Sequence, residues 1–533
     1  LAGVAPSEAL PVGHAVRSTN AASWEFEGDE PDGSWIGLKF DRHRDLVSIA
    51  SDLFLLQRWY YTCFEGSWYF ANSLLFLQRV LQGQLEIELR AVPYMLLSGY
   101  LPFDITPLKD VYDLRSGRVL VIERGKSHLA VRAKIPIQRR TQTSGEDIPK
   151  SIASVLREAV ARELQYLDSV IVPLSGGIDS RFLLGYALEI LPREQTTTFT
   201  YGYPRSLDFT IGTGLAKKLG VKNIALPMDE RRIGQILDEN FADAEGMYWA
   251  YPDYPVGPFR SALPKNSYVL SGHNGGAVFG SYDLQESRLL PRSLGEEEHL
   301  LHLVRQTAFI SSPTAVSSLV QLGAWDPLGF ESAVRAIRGP HLGERYRYWE
   351  FDFRYTNRAN FAVEVHRDRA FYLAPFVHRR VLDVAYALPS AARQGEKAFF
   401  AALKQRFPEL YSYPAKKNYG FPLGIPMNPR ISATRVWRKV WSQVDEVLGA
   451  HTGRMLYHHP RNNYAHPREL YRKKHFADVV RCFDELPNLD VFDRKPLAML
   501  RDRYRRRKKI DPALLRGLLT VHQWWRHYRK PYN

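Results

Sequence analysis

The sequence is poor in cysteine, and that scarcity excludes several classes at once. Its 533 residues hold two, Cys63 and Cys482. They are too few and too far apart for a disulfide framework or a cysteine-bound metal site, and a reducing cytoplasm is the compartment that fits. An uninterrupted apolar run of about 18 residues is also lacking, so no membrane-spanning helix is expected. Leu1 to Pro11 shows no basic region followed by an apolar core, and no signal peptide is expected. The chain opens without an initiating Met, which leaves room for residues upstream. Internal repeats and low-complexity tracts are absent.

What is present belongs to a globular protein. Hydrophobic residues make up 45% and charged residues 24%. A chain of this length is too long for one core, so two domains are expected. The net charge of +15 is uneven: residues 501–533 hold eleven Lys/Arg against Asp502 and Asp511, so this stretch alone contributes +9. Nucleic-acid binding is one reading of such a tail. A solvated basic helix, or a surface for an acidic partner, is the other. No motif of a nucleic-acid module accompanies the charge, so nucleic acid is not expected as a partner.

The most informative stretch is Val170 to Ser180, Val-Ile-Val-Pro-Leu-Ser-Gly-Gly-Ile-Asp-Ser. A β-branched run enters a Ser-Gly-Gly turn, and an amphipathic run, Arg181 to Leu191, follows it. Strand, tight loop and helix N-terminus in succession are suited to an anion. Gly176 and Gly177 allow close approach of backbone N–H groups, Ser175 and Ser180 add hydroxyls, and Asp179 is able to hold magnesium. No Lys follows the second Gly, so this is not the Walker pattern. Ser-Gly-Gly-x-Asp-Ser resembles instead the pyrophosphate loop of enzymes that cleave ATP between its α and β phosphates.

Around this loop the sequence divides in two. Residues 1–33 read as loop. Short β-rich segments follow at Trp35 to Phe40, Leu46 to Ala50, Gln57 to Tyr61 and Ser67 to Ala71. Helices are expected near Asn72 to Leu81 and Ile87 to Ser98, and a hairpin from Val119 to Glu123 and His128 to Ile135. Thr141 to Pro149 reads as a linker. From Ser151 helices alternate with buried strands at 169–174, Thr196 to Tyr201, Lys222 to Leu226 and Tyr268 to Ser271, a pattern that predicts a doubly wound parallel sheet. The intervening helices fall at Ser151 to Leu167, Leu207 to Leu219 and Arg231 to Asn240. Beyond about residue 295 the chain reads as mostly helical.

The whole order of motifs resembles the asparagine synthetase superfamily. In the first part the resemblance rests on Asp32-Gly33-Ser34-Trp35, Asp52, Trp59-Tyr60-Tyr61, Trp68 to Ser73 and Leu114-Arg115-Ser116-Gly117. In the second it rests on Leu174 to Ser180, Tyr201-Gly202, Asp208 with Leu215 to Gly220, and Ser271-Gly272. Ala374-Pro375-Phe376, Ala387-Leu388-Pro389 and Lys416-Lys417 before Gly420-Phe421-Pro422 complete it. It implies an α/β protein. Residues 1–140 would form Ntn-hydrolase-like α+β layers. Residues 150–533 would form a parallel-sheet ATP pyrophosphatase domain of the PP-loop type, with a helical C-terminal part and the basic tail. It further implies ATP and Mg2+, a carboxylate substrate, and an amine or ammonia donor. By this resemblance Leu174, Ser175, Gly176, Gly177, Asp179, Ser180, Tyr201, Ser271 and Gly272 contact ATP, and Asp179 holds the metal. Lys417, or its neighbour Lys416, meets the charge that builds on the acyl-phosphate.

Four departures qualify the resemblance. The N-terminal Cys nucleophile of such glutaminases is missing, since Leu1 stands first. Either residues precede Leu1 or glutamine is not hydrolysed here. A second magnesium-binding Asp is replaced by Gly276, with Asn274 or Asp283 as nearby substitutes. His273 stands where asparagine synthetases carry an acid and β-lactam synthetases a Tyr, as either a base or a neutral hydrogen-bonding group. A Glu usual in a later motif is also missing: Phe371 stands there, and Glu364 has the wrong spacing. The candidate substrate wall is basic and aromatic: Arg354, Tyr355, Arg358, His366, Arg367, Arg369 and Tyr372.

An adenylate-forming amide ligase on a specialised substrate is the leading expectation, the substrate being a glycan sugar acid, a peptide or a small metabolite. Residues 519–525, Leu-Thr-Val-His-Gln-Trp-Trp, resemble the tails of homologues thought to act on glycans. A non-catalytic nucleotide-binding scaffold and an RNA-modifying ATPase are the alternatives.

Overall fold

The computed structural model describes residues 35–54, 56, 58–131, 147–228, 233–249, 262–281, 283, 293, 295–321, 326, 328–360, 369–425, 428–452, 459–461, 470, 475–508 and 510–529. The motif Asp32-Gly33-Ser34, Glu364, His366 and Arg367 lie outside them, as does most of the expected linker.

The first part is built from β1 (Ile36–Asp41), β2 (Leu46–Ser51), β3 (Tyr60–Phe64), β4 (Ser67–Ala71), β5 (Val111–Asp113), β6 (Arg118–Glu123) and β7 (Lys126–Val131). Two antiparallel sheets result, ordered β1-β2-β6-β7 and β4-β3-β5. Side chains alternate along a strand, so Ile49, Leu120 and Ile122 of the first sheet meet Tyr61, Trp68 and Phe70 of the second. Val119 and Val121 point the other way, with Leu46 and Ala50.

The strand expected from Gln57 starts at Tyr60 instead. Glu65 (φ 48°) and Gly66 (φ 76°) form a two-residue hairpin turn that pairs Phe64 with Ser67 and sets the register. Helix α1 (Leu74–Val80) is capped by Ser73, whose side chain accepts from Phe76 N. The helix expected over Ile87 to Ser98 is shorter: a single turn at Leu89–Ala91 leads into α2 (Val92–Ser98), which Gly99 ends at φ 76°.

The second part opens with α3 (Ile148–Leu164), three residues earlier than expected, because Pro149 fits the first turn of a helix. Then come β8 (Val170–Pro173), α4 (Asp179–Ile190), β9 (Thr196–Gly202), α5 (Leu207–Leu219), β10 (Lys222–Pro227), α6 (Ile233–Ala244), β11 (Ser267–Leu270), α7 (Gly275–Val278) and β12 (Ala370–Leu373). The five strands form one parallel sheet, ordered β10-β9-β8-β11-β12. From β8 the chain runs outward to β10, then crosses to the opposite side of β8 for β11. That reversal opens a crevice at the carboxyl ends of β8 and β11, where open α/β sheets take their ligands.

Alternation again sorts the core. Val170, Val172 and Leu270 face a cluster with α3, α4 and helices Arg379–Ala387 and Lys397–Arg406. Phe199, Val269 and Ala370 form a smaller cluster on the other face, with Ile171 and Tyr201 against it.

The largest cluster mixes early and late chain, with residues 60–111 beside residues 233–528. Helix Pro512–Tyr528 lies in it almost wholly buried. The expectation of a solvated basic helix is therefore corrected for this segment alone: Arg516 is 7% exposed and Trp524 is 0% exposed, whereas Arg503, Arg505, Arg506 and Lys508 before it are exposed as expected. The apolar stripe outweighs the charges at its ends. Among the described residues no helix is long and apolar enough to cross a membrane.

Candidate active site

The crevice between β8 and β11 is lined by two loops, 174–180 and 271–276. Leu174 leaves β8 buried, its N–H donating to Phe199 O (2.7 Å) and its carbonyl accepting from Thr200 Oγ1 (3.0 Å). The loop then closes on itself. Ser175 N donates to Ser180 Oγ (3.3 Å), and Gly177 N donates to Ser175 Oγ (3.1 Å). Asp179 and Ser180 begin α4, so the positive end of its dipole faces the loop.

Asp208, from the first turn of α5, holds this loop from the side. It accepts from Gly176 N (2.9 Å) with one oxygen and pairs with Lys416 Nζ through the other. Lys416 N also donates to Gly176 O (3.0 Å). Arg181 secures the segment that carries the lysine. Its guanidinium, wholly buried, donates to Leu410 O (2.8 Å), Tyr413 O (3.0 Å) and Pro414 O, and burial lowers its pKa to about 10. A chain segment more than 200 positions away is thus tied to the loop.

The second loop covers Asp179. A Cβ on Gly272 would lie 3.1 Å from Asp179 Cβ, and one on Gly275 would lie 2.8 Å from Asp179 Cγ. Only glycine permits this approach. Asp179 Oδ1 is buried without a hydrogen-bond partner among the described residues. Burial, and after it the charge of Glu396, pushes the Asp179 carboxyl up to about 8; the Gly276 N–H and Lys417 act in the opposite direction. Lys417 Nζ bonds Glu396 Oε2 (2.5 Å) and Gly395 O (3.2 Å).

Ser271 follows β11; its N–H donates to Leu373 O (2.9 Å) and its hydroxyl accepts from His273 N (3.2 Å). His273 Nε2 meets Asn360 Oδ1 (3.0 Å), and Asn360 Nδ2 donates to Phe54 O, a link to the first part of the chain. Burial lowers the His273 pKa to about 4, although the Asn360 bond favours its charged form. Asn274 is 5% exposed, and neither of its amide atoms has a partner among the described residues. Tyr201 lies half-buried on β9, two residues beyond Phe199.

Residues 151–443, more than half of the chain, match the family model described as asparagine synthase. The chain belongs to the asparagine synthetase superfamily. It is also 24% identical over 269 residues to asparagine synthetase [glutamine-hydrolyzing] 1 of Bacillus subtilis (strain 168). That match covers 48% of this chain and 41% of the relative, so the chain spans less than half of that relative's length.

Against this superfamily background, several expectations need correcting. Asp283, a candidate stand-in for the magnesium ligand, is taken by Arg393 (2.9 Å) and Arg347 (3.5 Å); burial alone would raise its pKa, but the two arginines hold it below the usual range. Arg354 is committed to Glu350 (2.5 Å), and Tyr355 packs against Phe351 in the core. Neither forms a free substrate wall. Asp208 and Arg181 escaped sequence reasoning as positioning residues because their partners are distant; only the placement of Asp208 in a recurring motif hinted at a role. Glu396 had no local signal.

The residues suit a magnesium-bound nucleotide on chemical grounds. The partnerless oxygen of Asp179, once the carboxyl is ionised, only accepts, as a cation ligand must, and a bound cation would oppose the burial that raises its pKa. Lys416 and the start of α4 supply positive potential beside it.

Proposed function

We propose that this protein is an ATP-dependent amide ligase. A carboxylate oxygen attacks the α phosphorus, the bond to pyrophosphate breaks, and an acyl-adenylate forms. The nitrogen of an amine or ammonia then attacks the acyl carbon, AMP leaves, and the nitrogen loses a proton. The carrying observation is the Ser175–Ser180 loop at the sheet's reversal point, with Lys416 tied to it through Asp208.

Within this reading Leu174, Ser175, Gly176, Gly177, Ser180, Tyr201, Ser271 and Gly272 surround the nucleotide. The two serine hydroxyls and the start of α4 stabilise the departing pyrophosphate without moving. Asp179 holds Mg2+, which when bound neutralises phosphate charge. Lys416 lies on the pyrophosphate side, and Lys417, drawn from Glu396, meets the acyl-phosphate oxygens. His273, uncharged at neutral pH, serves as a hydrogen-bonding wall rather than a base. The two packed antiparallel sheets of the first part support a glutaminase-like, Ntn-type arrangement over residues 1–140, and residues 150–533 the PP-loop synthetase. A specialised carboxylate is favoured over aspartate, because His273, Gly276 and Phe371 replace acidic groups.

The scaffold reading draws on the loss of the second metal ligand at Gly276 and of the acidic pocket. The RNA reading draws on the basic charge of the tail, most of it at residues 501–509 ahead of the buried helix, and gives the glutaminase-like first part no place. Exchange of labelled pyrophosphate into ATP, across a panel of acids, tests the proposal. Exchange dependent on one acid and lost in Asp179→Ala supports it. ATP binding without exchange for any acid overturns it in favour of the scaffold.

A further inference from the structure

We propose that Glu396 supplies the second carboxylate of the metal site, in the space an acidic side chain at position 276 would occupy. The inference rests on the ligase reading and assigns a role to a residue that reading leaves as a lysine partner. Two successive glycines of one loop face two carboxylates. A Cβ on Gly275 would lie 2.8 Å from Asp179 Oδ1, and a Cβ on Gly276 would lie 3.2 Å from Glu396 Oε1. An Asp at 276 and the Glu at 396 would therefore compete for the same volume. The chain carries one carboxylate there, delivered from the turn before helix Lys397–Arg406 rather than from the loop after β11.

Three further observations bear on what lies between these groups. Glu396 is 8% exposed, and Oε2 is the atom that Lys417 Nζ reaches, while Oε1 faces Gly276. Asp179 Oδ1 is buried without a partner among the described residues. Asn274, at the head of the same glycine pair, is buried with both atoms of its amide, one acceptor and one donor, unpartnered among the described residues. A buried carboxylate oxygen that no donor reaches among the described residues, Asp179 Oδ1, on the same glycine pair as a second carboxylate oxygen, Glu396 Oε1, suits a hard divalent cation once both are ionised. The other nearby acid, Asp283, is occupied by Arg393 and Arg347. On this assignment Gly276 marks a ligand that has moved in sequence while keeping its place in space.

The test uses Mn2+ as probe, titrated by electron paramagnetic resonance against the full chain with α,β-methylene-ATP. Analogue affinity without metal is measured in parallel. Glu396→Gln is expected to weaken Mn2+ in the ternary complex by roughly tenfold or more, with metal-free analogue binding nearly unchanged. Gly276→Asp combined with Glu396→Ala is expected to recover most of that affinity, since the new carboxylate enters the emptied space. Lys417→Met is expected to keep or tighten Mn2+. If Glu396→Gln does not fold, as read by its melting transition, the Gly276→Asp/Glu396→Ala pair and Glu396→Asp carry the comparison. Unchanged Mn2+ affinity in Glu396→Gln overturns the assignment. So does equal weakening in Lys417→Met, which would make Glu396 only a holder of the lysine. Wild-type protein that binds no analogue overturns this assignment and the ligase reading together. Binding with an indifferent Glu396 overturns this assignment alone.

Discussion

Asp208 is the residue on which the loop's shape depends most. One oxygen satisfies a glycine N–H that would otherwise be buried unpaired, and the other positions Lys416. Asp208→Leu is expected to cost about 1–3 kcal/mol of stability and to weaken ATP binding. Asp208→Asn, which keeps an acceptor for Gly176, should cost less. Denaturant midpoints and calorimetric titration check both; equal effects from Leu and Asn would show that the acceptor is irrelevant. His273 gives one pH dependence, read as a difference from its variant so that the Asp179 carboxyl, shifted the other way, cancels. The folded pKa of His273, about 4, lies below the ordinary 6.5, so the unfolded chain binds more protons between those values. Stability is therefore lost as pH falls from 6.5 towards 4, by at most about 3 kcal/mol from this group. His273→Gln should flatten the pH–stability curve over that window relative to wild type, and an unchanged difference between them would sink the argument.

At the scale of elements, α5 lies unusually close to β8 and β9. A Cβ on Gly212 would come 2.6 Å from Leu174 O and 2.9 Å from Thr200 Oγ1. Backbone cannot yield there without shifting the loop. Gly212→Ala is expected to lose about 1–3 kcal/mol and to reduce nucleotide affinity despite its better helix propensity. A melting temperature at or above wild type would contradict this. The elements themselves were unevenly legible. β8, β9, β10 and β11 follow from β-branched runs between amphipathic helices, and the 174–180 turn from its glycines. β12 escaped because Ala370 to Leu373 carries no β-branched residue and its partner, β11, lies about 100 positions earlier. β5 escaped because three residues carry no usable period.

Across the whole molecule, the two parts share one core. Helix Pro512–Tyr528 packs on α2, where a Cβ on Gly517 would meet Leu96 Cα at 2.9 Å. Trp524 donates from Nε1 to Gly246 O (3.0 Å), and Tyr528 Oη donates to Glu245 O (2.6 Å). Arg58 pairs with Asp113 in the interior and reaches Thr356 O, fastening the second sheet to helix 350–359. Trp524→Ala is expected to cost about 3–5 kcal/mol and to lower the denaturation midpoint for the whole chain as one transition. A separate early transition of the last helix alone would show that it is an appendage. The charge count over residues 501–533 misled for this helix, because seven of the eleven basic residues precede it at 501–509, while its own apolar stripe packs against α2 and α6.

The sequence by itself determined the sheet and the local form of the loop at its reversal point. Periodicity gives the alternation of strands and helices. Ser-Gly-Gly-x-Asp-Ser gives a loop that admits an anion, because glycine conformations and a helix N-terminus are local properties. The tertiary structure alone decided which distant groups complete that loop and the 271–276 loop beside it. Asp208, Arg181, Asn360 and Glu396 act through partners far along the chain. No period or spacing encodes a contact between segments whose separation is fixed by how the sheet reverses and how its helices pack.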